Sequence, residues 1–263
     1  MTNLNILIVE GNDPKNNEFF VKAAKASCSE NLKNLVLKLE PSSKIKIINP
    51  ANDNETKAVL GNISNYHGII FTGGAMRLND MTDVIKKHIN FASSCFDHKK
   101  KILAICWGMQ VAVTAAGGEV KKASNGAHIG IAKDIEINEN GLKHPLYRHK
   151  NKKFNSPAFN FDEVVTLPSD ATHLASNKIN KVQSIHFKSG VSDIWGLQYH
   201  PEITYDKMIT LIKFRKEKLI NNRKCFNNET EIQNHINFIE EEIKRSAKDS
   251  RMLELKNWLN HLK

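Results

Sequence analysis

Three short segments carry residues whose types and spacing suit hydrolytic chemistry. The first is Leu103-Ala104-Ile105-Cys106-Trp107-Gly108-Met109-Gln110. A cysteine between an apolar, strand-like run and a helix-like run sits on a sharp turn. Small residues two before and two after it, Ala104 and Gly108, relieve crowding at such a turn. The turn exposes the sulfur and aims the next backbone N–H, that of Trp107, toward a reacting carbonyl. A helix N-terminus also favours the thiolate, the reactive form. The bland alternative is that Cys106 is one more buried cysteine at a strand end.

The second segment is Gly196-Leu197-Gln198-Tyr199-His200-Pro201-Glu202. A cysteine hydrolase needs a base for the thiol and a carboxylate to orient that base. Glu202, two positions beyond His200, can reach back to the imidazole. The alternative is a turn whose carboxylate caps the helix that follows. The third segment is Thr72-Gly73-Gly74-Ala75, where two glycines after a strand allow N–H groups to point into a cleft. With the Trp107 N–H they would form an oxyanion hole. Standing alone, the glycine pair is equally a tight turn with no role.

The elements around these segments are legible from hydrophobic periodicity. Leu4–Gly11, Lys44–Asn49, Gly68–Thr72 and Lys101–Ile105 read as buried strands. Between them, Phe19, Phe20, Ala23, Ala24, Leu32, Leu35, Val36 and Leu39 mark one helical stretch stopped by Pro41. Val84, Ile85, His88, Ile89, Ala92 and Phe96 mark a second within Met81–Phe96, and Trp107–Ala116 reads as a third. This alternation predicts an α/β fold with a mostly parallel sheet and helices on both faces. In such sheets working groups gather at the carboxyl ends of strands, where Gly73–Gly74 and Cys106 lie.

The second half changes character. Ile129–Asn138, Glu163–Leu167, His173–Ser176, Val182–Lys188 and Ile194–Tyr199 read as short strands between turn-forming residues. Helix follows from Tyr205. After a polar break at Asn221–Asn228, Ile232, Ile236, Ile239 and Ile243 mark another helix, and Met252–Leu262 a last one. The expected division is a domain over residues 1–220 and a helical C-terminal extension over 221–263.

The chain has 263 residues and a formal charge of +10, carried mostly by lysine. The lysines are spread out, so nucleic-acid binding is not the expected main function. No window is apolar enough to span a membrane, and MTNLNILIVEG lacks the marks of a signal peptide. A cytoplasmic address is therefore expected. Cys28, Cys95, Cys106 and Cys225 are scattered, which indicates neither a disulfide framework nor a zinc site. Cys95 near His98 continues a helical apolar face and reads as core. His144 and His149 lie in a basic loop without a carboxylate nearby, so no metal is expected there. No cofactor signature is present.

Together, the strand-GG, the (G/A)-x-C-x-G-x-Q segment about thirty residues on and the Q-x-H-P-E segment about ninety after that resemble class I glutamine amidotransferases. The resemblance covers about residues 4–215. Its nearest flavour is similar to stand-alone proteins like the amidotransferase half of GMP synthetase, which Gly130–Pro145 and Asp162–Pro168 also fit. The resemblance implies a flavodoxin-like three-layer sandwich and a Cys106–His200–Glu202 triad. Cys106 would form a γ-glutamyl thioester, His200 would act as base and acid, and Glu202 would orient it. The N–H groups of Trp107 and of Gly73–Gly74 would hold the oxyanion, and Gln110 would help hold glutamine. Ammonia would pass to a synthetase partner subunit, since no ATP-binding signature is visible in the chain. The C-terminal helices would be a docking surface or a cover for an apolar edge.

The chain departs from the resemblance at Ala104, where relatives usually have Gly, and at Ala75, where they often have Pro. It also has Asn160 where a histidine is common, two before the aspartate of D-x-V. The same triad would serve a γ-glutamyl peptide or amine hydrolase, differing only in the leaving amine. A non-catalytic module on the same scaffold is a third reading, opposed by the presence of all three triad types.

Overall fold

The computed structural model describes residues 3–245 and 248–263, so Met1 and Thr2 of the first strand-like segment lie outside the described residues. The first four strands are β1 (Asn5–Val9), β2 (Lys44–Ile48), β3 (Gly68–Phe71) and β4 (Lys101–Ile105). The helices α1 (Pro14–Ala24), α2 (Cys28–Leu39), α3 (Asp53–Leu60) and α4 (Asp83–Phe96) lie between them, and α5 (Trp107–Ala115) follows β4. The later strands are β5 (Glu119–Lys122), β6 (His128–Ile129), β7 (Ala132–Ile137), β8 (Lys153–Ser156), β9 (Phe159–Asn160), β10 (Asp162–Thr166), β11 (Thr172–Ser176), β12 (Ser184–Ser189) and β13 (Ser192–Leu197). The later helices are α6 (Glu139–Lys143), α7 (Tyr205–Phe214), α8 (Glu229–Arg245), α9 (Lys248–Arg251) and α10 (Leu253–Leu262).

Nine strands form one sheet in the order β2-β1-β3-β4-β13-β12-β11-β7-β8. The strands from β2 to β13 are mutually parallel, and β12, β11, β7 and β8 extend the sheet with antiparallel pairings. The inner parallel strands β1, β3 and β4 are apolar because both of their faces are covered, while the edge strand β2 leaves Lys44 and Lys46 exposed. Leu7, Val9, Ile69, Phe71 and Ile102 point to one layer, with Val59 of α3, Phe91 of α4 and Val111 of α5. Ile6, Ile8, Ile70, Leu103 and Ile105 point to the other, with Leu32 and Val36 of α2. Leu255, Trp258, Leu259 and Leu262 of α10 share that second layer. A Cβ on Gly68 would stand 2.8 Å from both Trp258 and Leu262, so α10 rests directly on β3. The three-layer α/β arrangement expected from the sequence is the one observed.

Two expectations need correction. The helical stretch from Phe19 to Leu39 is two helices. Lys25 adopts φ 66° and caps α1, and Ser27 caps α2 by accepting from the Glu30 N–H at 3.0 Å. The break is anchored from outside: Ser29 donates its N–H and its hydroxyl to the Glu10 carboxylate at 3.0 and 2.7 Å. The strand expected over Ile129–Asn138 is also split, because Gly130 turns the chain with φ 82° between β6 and β7. A Cβ there would also meet Ile212 at 2.7 Å. The structure adds α3, β5 and β8, which lack a run of apolar residues.

Candidate active site

Cys106 stands between β4 and α5 with φ 52° and ψ −109°. Positive φ is unfavourable for a residue with a Cβ, and such strain collects at working sites. The turn is tight: a Cβ on Gly108 would lie 2.5 Å from the Phe71 carbonyl oxygen. Gly108 is therefore small for a reason the structure makes visible. Trp107 opens α5, so its N–H is one of the helix's unpaired donors. Its ring is buried, with the His88 ring edge-on at 4.9 Å. Burial lowers the His88 pKa to about 4, so this contact is with a neutral imidazole.

The sulfur is held by amides. Gln198 Nε2 donates to Cys106 Sγ at 3.5 Å. Gln110 Nε2 in turn donates to Gln198 Oε1 at 3.2 Å and to the Asp162 carbonyl oxygen at 3.2 Å. Gln110 lines the cavity in front of Cys106, as expected of a residue near substrate, but its amide nitrogen is already engaged. The role of Gln198 was not read from the sequence, although it stands in the same segment as His200.

His200 follows β13, the strand hydrogen-bonded to β4, and so emerges beside Cys106. Its Nδ1–H donates to Glu202 Oε1 at 2.7 Å, and the imidazole hydrogen-bonds Cys106. Burial disfavours the imidazolium, but Glu202 and the Cys106 sulfur outweigh it and raise the His200 pKa to about 10. A buried imidazole beside a carboxylate is the arrangement in which the proton stays on the ring.

The two glycines have different places. Gly74 lines the cavity with Cys106 and Trp107. Gly73 lies against the base: a Cβ there would stand 2.6 Å from His200 Cε1. The loop after β1 braces the pair. A Cβ on Gly74 would meet the Gly11 carbonyl oxygen at 2.5 Å, and the Ala75 N–H donates to Asn12 Oδ1 at 2.7 Å.

The cavity is walled by Phe159, Asn160, Phe161 and Asp162 on one side and by Arg215, Lys218 and Arg223 on another. Asp162 Oδ1 is buried with no hydrogen-bond partner, and Arg77 Nη2 stands 3.7 Å from it. Burial pushes the Asp162 carboxyl up, against the pull of Arg77 and Arg223. Asn160, where relatives often have histidine, faces away into a buried polar network. Its Oδ1 bonds His128 Nδ1 at 2.9 Å, and its Nδ2 donates to the Asp162 carbonyl and to Asn180 Oδ1, both at 3.0 Å. Asn160 thus shapes the wall from behind. Asp162 and the three cations carry no sequence signal as a set, because they meet only through the fold.

The other candidates read blandly from the sequence stay apart from the cavity. Cys95 is fully buried in the core, while His98 is exposed. His144 packs edge-on to Trp195, and His149 is exposed. Among the described residues no group of three His, Cys, Asp or Glu side chains stands close enough to hold a metal ion. Among them, too, no helix is long and apolar enough to cross a membrane.

A family model described as glutamine amidotransferase class-I matches residues 21–216. The chain is 28% identical to a γ-glutamyl-L-1-hydroxyisopropylamide hydrolase of Pseudomonas sp., over all of this chain and 94% of the relative. It is 32% identical to a glutamine-hydrolysing GMP synthase subunit of Methanococcus aeolicus, over 52% of this chain and 65% of the relative. Its fold matches a crystal structure of a glutamine amidotransferase from Thermotoga maritima with a TM-score of 0.69 at 15% identity, covering 100% of this chain and 99% of that one.

Proposed function

The chain belongs to the class-I glutamine amidotransferase family, and on that premise we propose that it hydrolyses γ-glutamyl amides with Cys106, His200 and Glu202. The observation that carries this reading is a strained Cys106 at the mouth of the cavity, with the buried His200–Glu202 pair emerging from the strand next to its own. Glutamine is the simplest such amide, with ammonia as its leaving group.

In the first step the Cys106 thiolate, its proton on His200, attacks the γ-carbonyl carbon. The carbonyl electron pair moves to oxygen, and the oxyanion is held by the N–H groups of Trp107 and Gly73–Gly74. The intermediate collapses, the C–N bond breaks, and His200 gives its proton to the leaving nitrogen. A γ-glutamyl thioester remains on Cys106. Water then attacks it, passes a proton to His200, and glutamate leaves as the sulfur is freed. Glu202 keeps the imidazole oriented throughout. Asp162, buried and without a hydrogen bond at Oδ1, suits the substrate ammonium, and Gln110 borders the glutamyl chain.

Two leaving groups fit this acyl chemistry. In the first reading ammonia is handed to an acceptor on a synthetase partner subunit, which the likeness to a glutamine-hydrolysing GMP synthase chain supports. In the second the leaving group is a larger amine. The full-length likeness to a γ-glutamyl amide hydrolase, running through the C-terminal helices, supports that reading. We read residues 1–220 as the catalytic domain and 221–263 as a C-terminal extension. The free thiols Cys28, Cys95, Cys106 and Cys225 suit a reducing, cytoplasmic setting.

The test is glutamate release from glutamine and from a γ-glutamyl anilide by the wild-type chain and by Cys106→Ala. Release that needs Cys106 is expected from at least one substrate. Release from neither, with Cys106 inert to a glutamine-like chloroketone, would refute the assignment.

A further inference from the structure

The charge around the cavity exceeds what a glutamine side chain with its α-groups needs. Four cations, Arg77, Arg215, Lys218 and Arg223, and one carboxylate, Asp162, line it. A γ-glutamyl group carries one ammonium and one carboxylate. Asp162, whose Oδ1 makes no hydrogen bond and pairs with Arg77 at 3.7 Å, matches the ammonium, and Arg77 beside it matches the α-carboxylate. That leaves three cations without a task.

These three are built into place. The Arg215 guanidinium lies over the Phe159 ring at 4.9 Å, and that of Arg223 over Phe161 at 4.4 Å. Stacking of this kind fixes a guanidinium while leaving its N–H edge free to bind. Lys218 and Arg223 bracket a π-helical turn over Lys218–Asn222, closed by the Arg223 N–H on the Lys218 carbonyl oxygen at 2.9 Å. Such widened turns recur at functional sites. Among the described residues Arg215, Lys218 and Arg223 form no ion pair, although each repels at least one of the others. The one carboxylate of the cavity, Asp162, is shared between Arg77 and Arg223, and like charges in excess of their counter-ion fit a site whose remaining counter-ion is a ligand.

Position tells which part of a ligand. Arg215 ends α7 one helical turn beyond Leu211, which lines a small cavity together with Glu202. Arg215 therefore stands on the side of the base. His200 delivers its proton to the leaving nitrogen, so substituents on that nitrogen project to this side.

We propose that Arg215, Lys218 and Arg223 form a subsite for a carboxylate on the leaving amine, which makes the substrate class γ-glutamyl amino acids or peptides. This rests on the γ-glutamyl amide hydrolase reading above and narrows its substrate. The cations act on the ground state and the transition state alike, holding the leaving amine in line with His200.

The experiment compares kcat/KM for γ-glutamylglycine, γ-glutamylglycinamide and glutamine, with Cys106→Ala as the blank. The first two differ only in the charge of the leaving group. Wild type should prefer γ-glutamylglycine over its carboxamide by about tenfold to a hundredfold, the worth of a hydrogen-bonded charge. Lys218→Gln and Arg223→Gln, on the less buried part of the cluster, should each bring that ratio toward one. Equal rates on the two substrates, both needing Cys106, would overturn the proposal and leave the hydrolase reading standing. A loss in the variants that is equal for both substrates would also overturn it, by making the cations partners of the α-carboxylate. Cys106-dependent release from none of the three would remove the hydrolase reading, and the proposal with it.

Discussion

Tyr199, the residue before His200, donates its hydroxyl to Glu254 of α10 at 2.7 Å. Glu254 is fully buried and also pairs with Lys150 at 3.0 Å. On the other side of the base, Arg251 donates to the carbonyl oxygens of Pro201 and Ile203, which flank Glu202. The C-terminal helices thus hold the segment that carries His200 and Glu202 from both ends. Glu254→Ala should therefore strand a buried lysine and cost about 3–5 kcal/mol in unfolding free energy. Urea denaturation measures this, and a change below about 1 kcal/mol would place Glu254 among ordinary surface partners. Glu254→Gln, which keeps an acceptor for Tyr199, should cost less.

The charge on His200 sets the pH dependence. Its pKa is raised from 6.5 to about 10 in the folded chain. A raised value means that the imidazolium's contribution to stability is complete below the unfolded value. It is lost as pH climbs through about 10. The proton for the leaving nitrogen is available over the same range, so kcat/KM should hold through mildly alkaline pH and fall toward that value. Glu202→Gln removes the main group that raises it and leaves burial to lower it. The alkaline limb should then move to lower pH, with kcat down by about 10²–10⁴-fold. An unmoved limb in the variant would show that another group sets it.

Gly73 allows the base to sit where it does. In Gly73→Ala the new Cβ would meet His200 Cε1 at 2.6 Å, so the imidazole must shift. Turnover should fall at least about tenfold, because small displacements at a reacting centre are costly. Gly61→Ala is the matched control. Its Cβ would find ordinary contacts at 3.7 and 3.8 Å, with φ −64°. Removing that glycine should raise stability by about 0.4–1 kcal/mol and leave turnover unchanged. Similar activity in the two variants would remove the steric argument.

Cys106 makes a further prediction through its backbone. At φ 52° and ψ −109° a Cβ is strained, and only glycine relieves it. Cys106→Gly should therefore be more stable than Cys106→Ala by about 1 kcal/mol, though both lose the sulfur. Thermal unfolding of the two variants decides this, and a less stable glycine variant would mean that the turn is unstrained.

The candidate segments around Cys106 and His200 were legible because each is marked locally. Lys101–Ile105 is a plain apolar run ending at Cys106, and Gly196–Leu197 feeds His200 with a proline behind it. The inner parallel strands β1, β3 and β4 were legible for the same reason, being apolar on both faces. What escaped was set by distant partners. Glu119–Lys122 and Lys153–Ser156 are polar strands that only their neighbours make into sheet. The break at Lys25 has no glycine or proline to announce it, and depends on Glu10 reaching Ser29. Asp162, Arg215 and Arg223 come from separate elements, and no spacing in the chain announces that they share a wall. Glu254 lies in a helix whose amphipathic pattern was plain, but its charge at a buried position has meaning only beside Lys150 and Tyr199.

The amide chain behind Cys106 has a direction. The Asp162 carbonyl oxygen can only accept, so it turns the Gln110 nitrogen toward itself. That same nitrogen then reaches Gln198 Oε1, which leaves the Gln198 N–H facing the sulfur. One backbone oxygen, on a strand outside the main sheet, thereby dictates the polarity that the nucleophile meets. No titratable group takes part in the relay. The aim of the sulfur is thus set by neutral dipoles, apart from the charge held by His200 and Glu202. A change of pH can discharge His200 while the amide relay keeps its aim, because neither glutamine titrates.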